Sequence, residues 1–388
     1  FGGEVGGSTA LSSLSVTSGT LTLDQDVETT GAQTYGSAVS LAAASILRGT
    51  SVTFDSTVTG NHDLFVNAAL TTADTLSIKK LEANGTAQLG GDVTTTGSQS
   101  YGEAVTLAAD VTLTSPSYIT FNKSIDGAHA LTLDADTAAR LYGTVGAQTA
   151  LASLTTQGNA GSRTEIGATY ENVAVSVTTT GSQTYNQDLQ LGGHTTLSVS
   201  GLSAGAIDMK AYNLTVSEAG TGSVTGVVSG TGALTKSGVG TLTLSGANTY
   251  SGATTVSNGT VVAGDDAALG TGLVTVQSGG AVDVNGQTIV NAFTVSGTGV
   301  SNSGALFNAS STAAAVSGAI SLAADTSILT TGGLTLSGGM DASSSGGDSD
   351  LTLANATGET GVITITGAIG DTNPISSLTA SAELAIEA

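Results

Sequence analysis

The 388-residue chain carries a net charge of −22 and no cysteine, with 55 glycines, two prolines, 39% hydrophobic and only 10% charged residues. That much apolar surface excludes a disordered chain, and an acidic surface with no Lys or Arg beyond Lys236 repels phosphate backbones and excludes nucleic acid as a partner. Without cysteine there is no disulfide framework or thiolate metal site. No apolar run reaches the roughly 18 residues of a membrane-spanning helix, so contact with a membrane is expected only through domains outside this segment.

The chain opens Phe1-Gly2-Gly3-Glu4, which lacks the charged and apolar regions of a signal peptide and reads as a mature or excised segment. Residues 1–216 hold a long internal repeat. Gly31-Ala-Gln-Thr-Tyr35 recurs as Gly97-Ser-Gln-Ser-Tyr101 and Gly181-Ser-Gln-Thr-Tyr185, and Val39-Ser-Leu-Ala-Ala43 recurs as Val105-Thr-Leu-Ala-Ala109. At about 20 residues per coil, the offset of about 66 from Gly31 to Gly97 reads as three coils of about 22. The longer offset from Gly97 to Gly181 reads as the same with one coil inserted within residues 136–180. A second marker, Gly3-Glu-Val5-Gly6 through Leu11-Ser-Ser-Leu14, returns as Gly143-Thr-Val145-Gly146 through Leu151-Ala-Ser-Leu154 and as Gly367-Ala-Ile369-Gly370 through Ile375-Ser-Ser-Leu378. Units that begin and end alike point to a longer array or to end-to-end self-association.

Residues 217–300 alternate apolar and hydroxyl side chains over short runs, clearest at Thr241-Leu-Thr-Leu244, and each run stops at Gly or Asn-Gly. A period of two is a strand with one face in and one face out. Strands this short bury nothing alone and must stack on copies of themselves. Residues 301–388 continue less regularly, through Ile320-Ser-Leu322, Leu334-Thr-Leu336 and Val362-Ile-Thr-Ile365. The one helical candidate is Thr379–Ala388. The predicted architecture is all-β, a right-handed parallel β-helix (β-solenoid) of roughly 18 coils at about 20 residues each, in three regions: 1–216, 217–300 and 301–388.

Within Gly230–Val262, Leu234-Thr-Lys-Ser-Gly-Val-Gly-Thr-Leu-Thr-Leu-Ser-Gly246 is followed by Asn248-Thr-Tyr-Ser-Gly252 and Asn258-Gly-Thr-Val261. This stretch resembles the passenger-associated transport repeat of Gram-negative autotransporters. The repeats of residues 1–216 are similar to those of giant haemagglutinin-like bacterial surface proteins. The resemblance implies an extracellular, structural or adhesive segment at the bacterial cell surface, with a surface or glycan receptor of unknown identity. For the transport repeat it also implies efficient export, because coils stacking outside the cell resist back-sliding. The alternatives are a self-assembling subunit of an extracellular filament, sheath or surface layer, and a carbohydrate-binding or carbohydrate-active β-helix.

Nothing points to catalysis or to a cofactor. Gly201-Leu-Ser203-Ala-Gly205 has the spacing of a nucleophile elbow but lacks the following helix, so it reads as a turn. His62 and His129 stand two residues before Leu64 and Leu131, which fits stacked turn residues better than a metal column. Gly346-Gly-Asp348-Ser-Asp350 faintly resembles the calcium-binding nonapeptide of β-rolls and makes Asp348 and Asp350 the metal candidates; the motif occurs once and lacks a second spaced glycine. Asp134 with Asp136, and Asp265 with Asp266, read as solvated turns rather than the clustered acids of a polysaccharide-cleaving site.

Overall fold

The computed structural model describes residues 3–167, 173–343 and 348–387. Its strands are two to eleven residues long, and the only helix among the described residues is a 3-10 turn, Val300–Asn302. The strands pair in parallel and wind about 18 turns of β-solenoid. Residues divide into two compact units, Phe1–Thr195 and Thr196–Ala388. The ladders run through residues 216 and 300, as Leu214 opposite Leu234 and Val282 opposite Leu306 show, so the compositional regions are not structural boundaries.

In Phe1–Thr195 each turn contributes one strand to each of three ladders. One ladder runs through Leu14, Gln33, Val52 and Leu70. The next in space runs through Val27, Leu47, Val66, Ala83, Tyr101 and Phe121. The third runs through Leu21, Val39, Val58, Leu76 and Val93. Alternation puts one side chain of each pair inward, so Leu47, Val66 and Leu113 are fully buried while threonines and serines face out. Each buried aliphatic contributes about 1.5–3 kcal/mol. Tyr35 stacks on Phe54 at 5.1 Å and Tyr101 on Phe121 at 4.8 Å between ring centroids, adding about 0.5–1.5 kcal/mol each.

The register corrects the number of coils in each internal repeat. Gln33 stands on the first ladder, Gln99 on the second and Gln183 on the third. Both intervals pass through eleven strand steps, which is three and two-thirds turns. The interval from Gly31 to Gly97 therefore holds turns shorter than expected, such as the 17 residues that separate the stacked Asn67 and Asn84. The interval from Gly97 to Gly181 contains no inserted coil. Its turns lengthen instead, with a separation of 25 residues between the paired Arg140 and Glu165 and of 29 between Leu151 and Thr180. Residues added at a corner leave the ladders in register, and a three-cornered coil can move a corner motif on by one corner at each repeat.

In Thr196–Ala388 two ladders are continuous, one through Leu214, Leu234, Thr254, Val274 and Phe293, the other through Leu242, Val261, Val282 and Leu306. The third side pairs Ile207 with Val228, lacks a strand around Asn248 and Ala268, and resumes from Thr288–Ile289 to Glu383–Ile386. The predicted terminal helix is not formed. Ser377–Ala380 and Glu383–Ile386 are strands laid on Asp350–Asn355 and Val362–Ile365, and Ala388 lies outside the described residues. Leu384 and Ile386 alternate at the strand period, and pairing with a formed ladder outweighs the helix propensity of an Ala- and Glu-rich end.

Candidate functional site

The transport-repeat stretch is built around a buried corner. Strand Leu234–Ser237 turns inward at Lys236, which is 0% exposed. Its Nζ donates to the carbonyls of Ser237 at 2.9 Å, Gly238 at 2.8 Å and, one coil on, Asn258 at 3.3 Å. Val216 lies opposite Lys236, which places Glu218 beneath Gly238. Glu218 is also fully buried; its carboxylate accepts from the backbone N–H of Leu202 at 3.0 Å and of Gly220 at 3.1 Å. Burial pulls the Lys236 ammonium down to about 8, and the nearby Glu218 opposes that shift. A Cβ at Gly259, where φ is +72°, would fall on the Gly240 carbonyl and 2.6 Å from Nζ. The Lys-x-Gly-x-Gly and Asn-Gly spacings thus enclose one ammonium with carbonyls from two coils.

On the side without a strand, side chains replace the ladder. Asn248 Oδ1 accepts from Val228 N–H at 2.7 Å and its Nδ2 donates to Ala268 O at 2.6 Å, so one buried amide joins the coil below to the coil above. Tyr250 is buried with its hydroxyl 2.6 Å from Thr254 Oγ1, which in turn donates to Leu269 O at 3.0 Å. The Asn-Thr-Tyr-Ser-Gly motif closes this side of the coil. The arrangement fixes backbone on this side of the coil.

The corner device of residues 1–195 works likewise. Gln99 Nε2 donates to Val93 O at 2.9 Å across the corner and to Thr114 O at 2.8 Å in the next coil, while Tyr101 OH donates to Gln99 Oε1 at 3.1 Å. Gln33 with Tyr35, and Gln183 with Tyr185, repeat the cross-corner and phenol bonds. The repeat was visible in sequence, but the burial of its glutamine was not; a polar residue at an inward position of the alternation is the signal that marks it.

The other candidates are dispersed. Ser203 lies in strand Gly201–Ala204, opposite Ser223 and exposed, not on a turn. His62 precedes the second ladder and His129 the third, so the two are not stacked; His129 Nδ1 lies 3.6 Å from Asp110. Asp348 borders a shallow hollow with Asp325, Ser278 and Thr298, whereas Asp350 accepts from Ser377 Oγ at 2.6 Å; Gly346 and Gly347 lie outside the described residues. No group of three His, Cys, Asp or Glu that could hold a metal occurs among the described residues. The paired acids have structural partners. Asp134 accepts from Gln157 Nε2, Asp136 from Asn159 N–H, Asp265 from Ala267 N–H and Asp266 from Thr288 N–H. Asp92, Asp110 and Asp325 likewise accept a backbone N–H from the following coil, a role signalled by an aspartate one coil before an unpaired corner.

Residues 234–263 match the family model of the passenger-associated transport repeat. Neither a curated protein nor a solved structure matches the chain. A transport repeat set in a β-solenoid fits an autotransporter passenger domain, and the repeat family points to a secreted, surface-exposed protein.

Proposed function

We propose that the chain is a non-catalytic, structural segment of an exported Gram-negative cell-surface protein, a passenger whose work is mechanical and spatial, and which carries adhesive contacts to a surface or glycan receptor. The observation that carries this reading is the enclosed Lys236 corner within the matched repeat, where the motif's charged and glycine residues all serve coil stacking. Two further features support it: the acids bind backbone of neighbouring coils, and the Ser/Thr-covered faces offer hydroxyls rather than clustered catalytic acids. The haemagglutinin-like resemblance of residues 1–216 agrees with an adhesive surface protein.

The test uses the full protein in the cell that makes it. A short epitope placed beside Val239, which is 69% exposed, should be labelled by antibody on intact cells and removed by external protease. Labelling only after lysis would overturn the proposal. Loss of adherence on deleting residues 1–195, with surface display kept, is the expected adhesive result; unchanged adherence would remove adhesion from the proposal.

A further inference from the structure

The chain contains three Asn-Gly steps, Asn84-Gly85, Asn258-Gly259 and Asn285-Gly286. Asparagine is among the thermolabile residues, and its decay begins when the following backbone nitrogen attacks the side-chain carbonyl carbon. Glycine offers that nitrogen with no Cβ in the way. The three steps are alike in sequence, but the fold treats them differently.

At Asn285 both reacting groups are held elsewhere. Its Nδ2 donates to Ala263 O at 3.1 Å in the coil below, and Gly286 N–H donates to Asn308 Oδ1 at 2.9 Å in the coil above. At Asn84 the side chain is tied to the coil below, its Nδ2 donating to Asn67 Oδ1 at 2.7 Å. At Asn258 the two groups are held together. Gly259 N–H donates to Oδ1 of Asn258 itself at 2.8 Å, which keeps the attacking nitrogen beside the carboxamide, close to a near-attack arrangement. Asn258 is exposed, so water reaches the carboxamide and ammonia leaves freely.

The corner also acts on the peptide that must react. Lys236 Nζ donates to Asn258 O at 3.3 Å, the carbonyl of the same peptide group that supplies the attacking nitrogen. A positive charge on that oxygen draws electrons from the peptide and eases loss of its N–H proton. Glycine is obligatory at 259, where φ is +72° and a Cβ would fall on the Gly240 carbonyl. The residues that close this corner therefore also prepare its chemistry.

We propose that Asn258 is a site of spontaneous deamidation directed by the fold, with Lys236 as a positioning residue. Gly259 N gives its proton to solvent base and forms a bond to Asn258 Cγ. The Cγ–Nδ2 bond breaks, the nitrogen takes a proton from water, and ammonia leaves a five-membered succinimide. Water then adds across one of the two ring C–N bonds, hydroxyl to carbon and hydrogen to Gly259 N. Opening at Cγ gives aspartate. Opening at the main-chain carbonyl gives isoaspartate, with the chain running through the former side chain. Either product sets a new carboxylate beside the Lys236 ammonium, and isoaspartate lengthens the backbone just before strand Gly259–Ala263.

The test incubates the full chain in oxygen-18 water, folded and in urea, and follows each Asn-Gly step by peptide mass spectrometry. In the folded chain Asn258 should convert about tenfold or more faster than Asn84 and Asn285, taking up one heavy oxygen. In urea, where only local sequence acts, the three should convert alike. Equal rates in the folded chain, or a faster rate at Asn84 or Asn285, overturn the proposal, as does conversion of Asn258 in urea alone. The pH profile tests Lys236, whose charged neighbour at this corner is Glu218. The folded rate at Asn258 should climb with pH and flatten above about 8, where Lys236 loses its proton, while the rate in urea climbs throughout. An unbroken climb in the folded chain overturns the part given to Lys236.

Discussion

Gln99→Leu keeps the volume of a corner while removing its polar network. Gln99 and Tyr101 are fully buried, so Val93 O and the Tyr101 hydroxyl lose a partner where water does not reach, while the part-buried Thr114 O keeps a longer bond from Thr95 Oγ1 at 3.5 Å. At about 2 kcal/mol for each of the two stranded groups and about 1 kcal/mol for the lost bond to Thr114 O, the loss centres on about 5 kcal/mol. Leucine's apolar surface returns about 1–2 kcal/mol, so the net cost is about 3 kcal/mol. Tyr101→Phe breaks one bond and should cost about 1 kcal/mol. In the double variant the phenol is no longer stranded, so the two costs should fall short of additivity by about 1 kcal/mol. Because solenoid stability is a sum of neighbouring contacts, the loss should concentrate in the turns touching residues 93–121. Urea unfolding gives the total, and amide exchange gives its location. Gln33→Leu and Gln183→Leu should behave alike, since their amides make the same cross-corner bond. A Gln99→Leu chain within about 0.5 kcal/mol of the parent, or an additive cycle, would refute the view that these glutamines hold the corners.

Stability should rise with pH from about 8 towards 10, because Lys236 titrates at about 8 in the folded chain and near 10.5 when unfolded, so the unfolded state holds the extra proton across that window. Burial raises Tyr35, Tyr101, Tyr185 and Tyr250 above their ordinary value of 10.0, and the stability they contribute is present below pH 10 and lost above it. Thermal melts from pH 7 to 12 should therefore peak near pH 10, and Lys236→Met should flatten the rising limb; a steady fall from pH 8 contradicts the assignment. Asn248→Ala removes both inter-coil bonds of that amide and should cost about 2–4 kcal/mol in urea unfolding, with a neutral result placing the tie elsewhere. Calcium should leave the melting temperature unchanged, since Asp350 is engaged by Ser377 and no group of three His, Cys, Asp or Glu that could hold a metal occurs among the described residues; a rise that tracks calcium concentration would show a bound ion.

The alternation of Thr241-Leu-Thr-Leu244 carried the strand assignment and the inward columns, because a period of two leaves one geometric reading. Spacing along the chain misled where it stood for spacing in space. The interval from Gly31 to Gly97 divides evenly into three coils on paper, yet stacked positions are 17 residues apart at Asn67 and Asn84 and 29 apart at Leu151 and Thr180. Loops at corners absorb residues without moving a strand, so only hydrogen-bond register counts turns. The same cause separated His62 from His129. Lys236 and Glu218 were hidden for a different reason: composition places charge on the surface, and only the carbonyls and N–H groups that a corner leaves unpaired make their burial tolerable. The candidate site therefore lies at the ends of strands, where the chain leaves the ladder for a corner. Strands satisfy their own backbone and leave side chains free to vary, whereas a corner must be satisfied by particular side chains, so the recognisable motifs of this chain, Lys-x-Gly-x-Gly, Asn-x-Tyr and Gly-x-Gln-x-Tyr, are corner motifs.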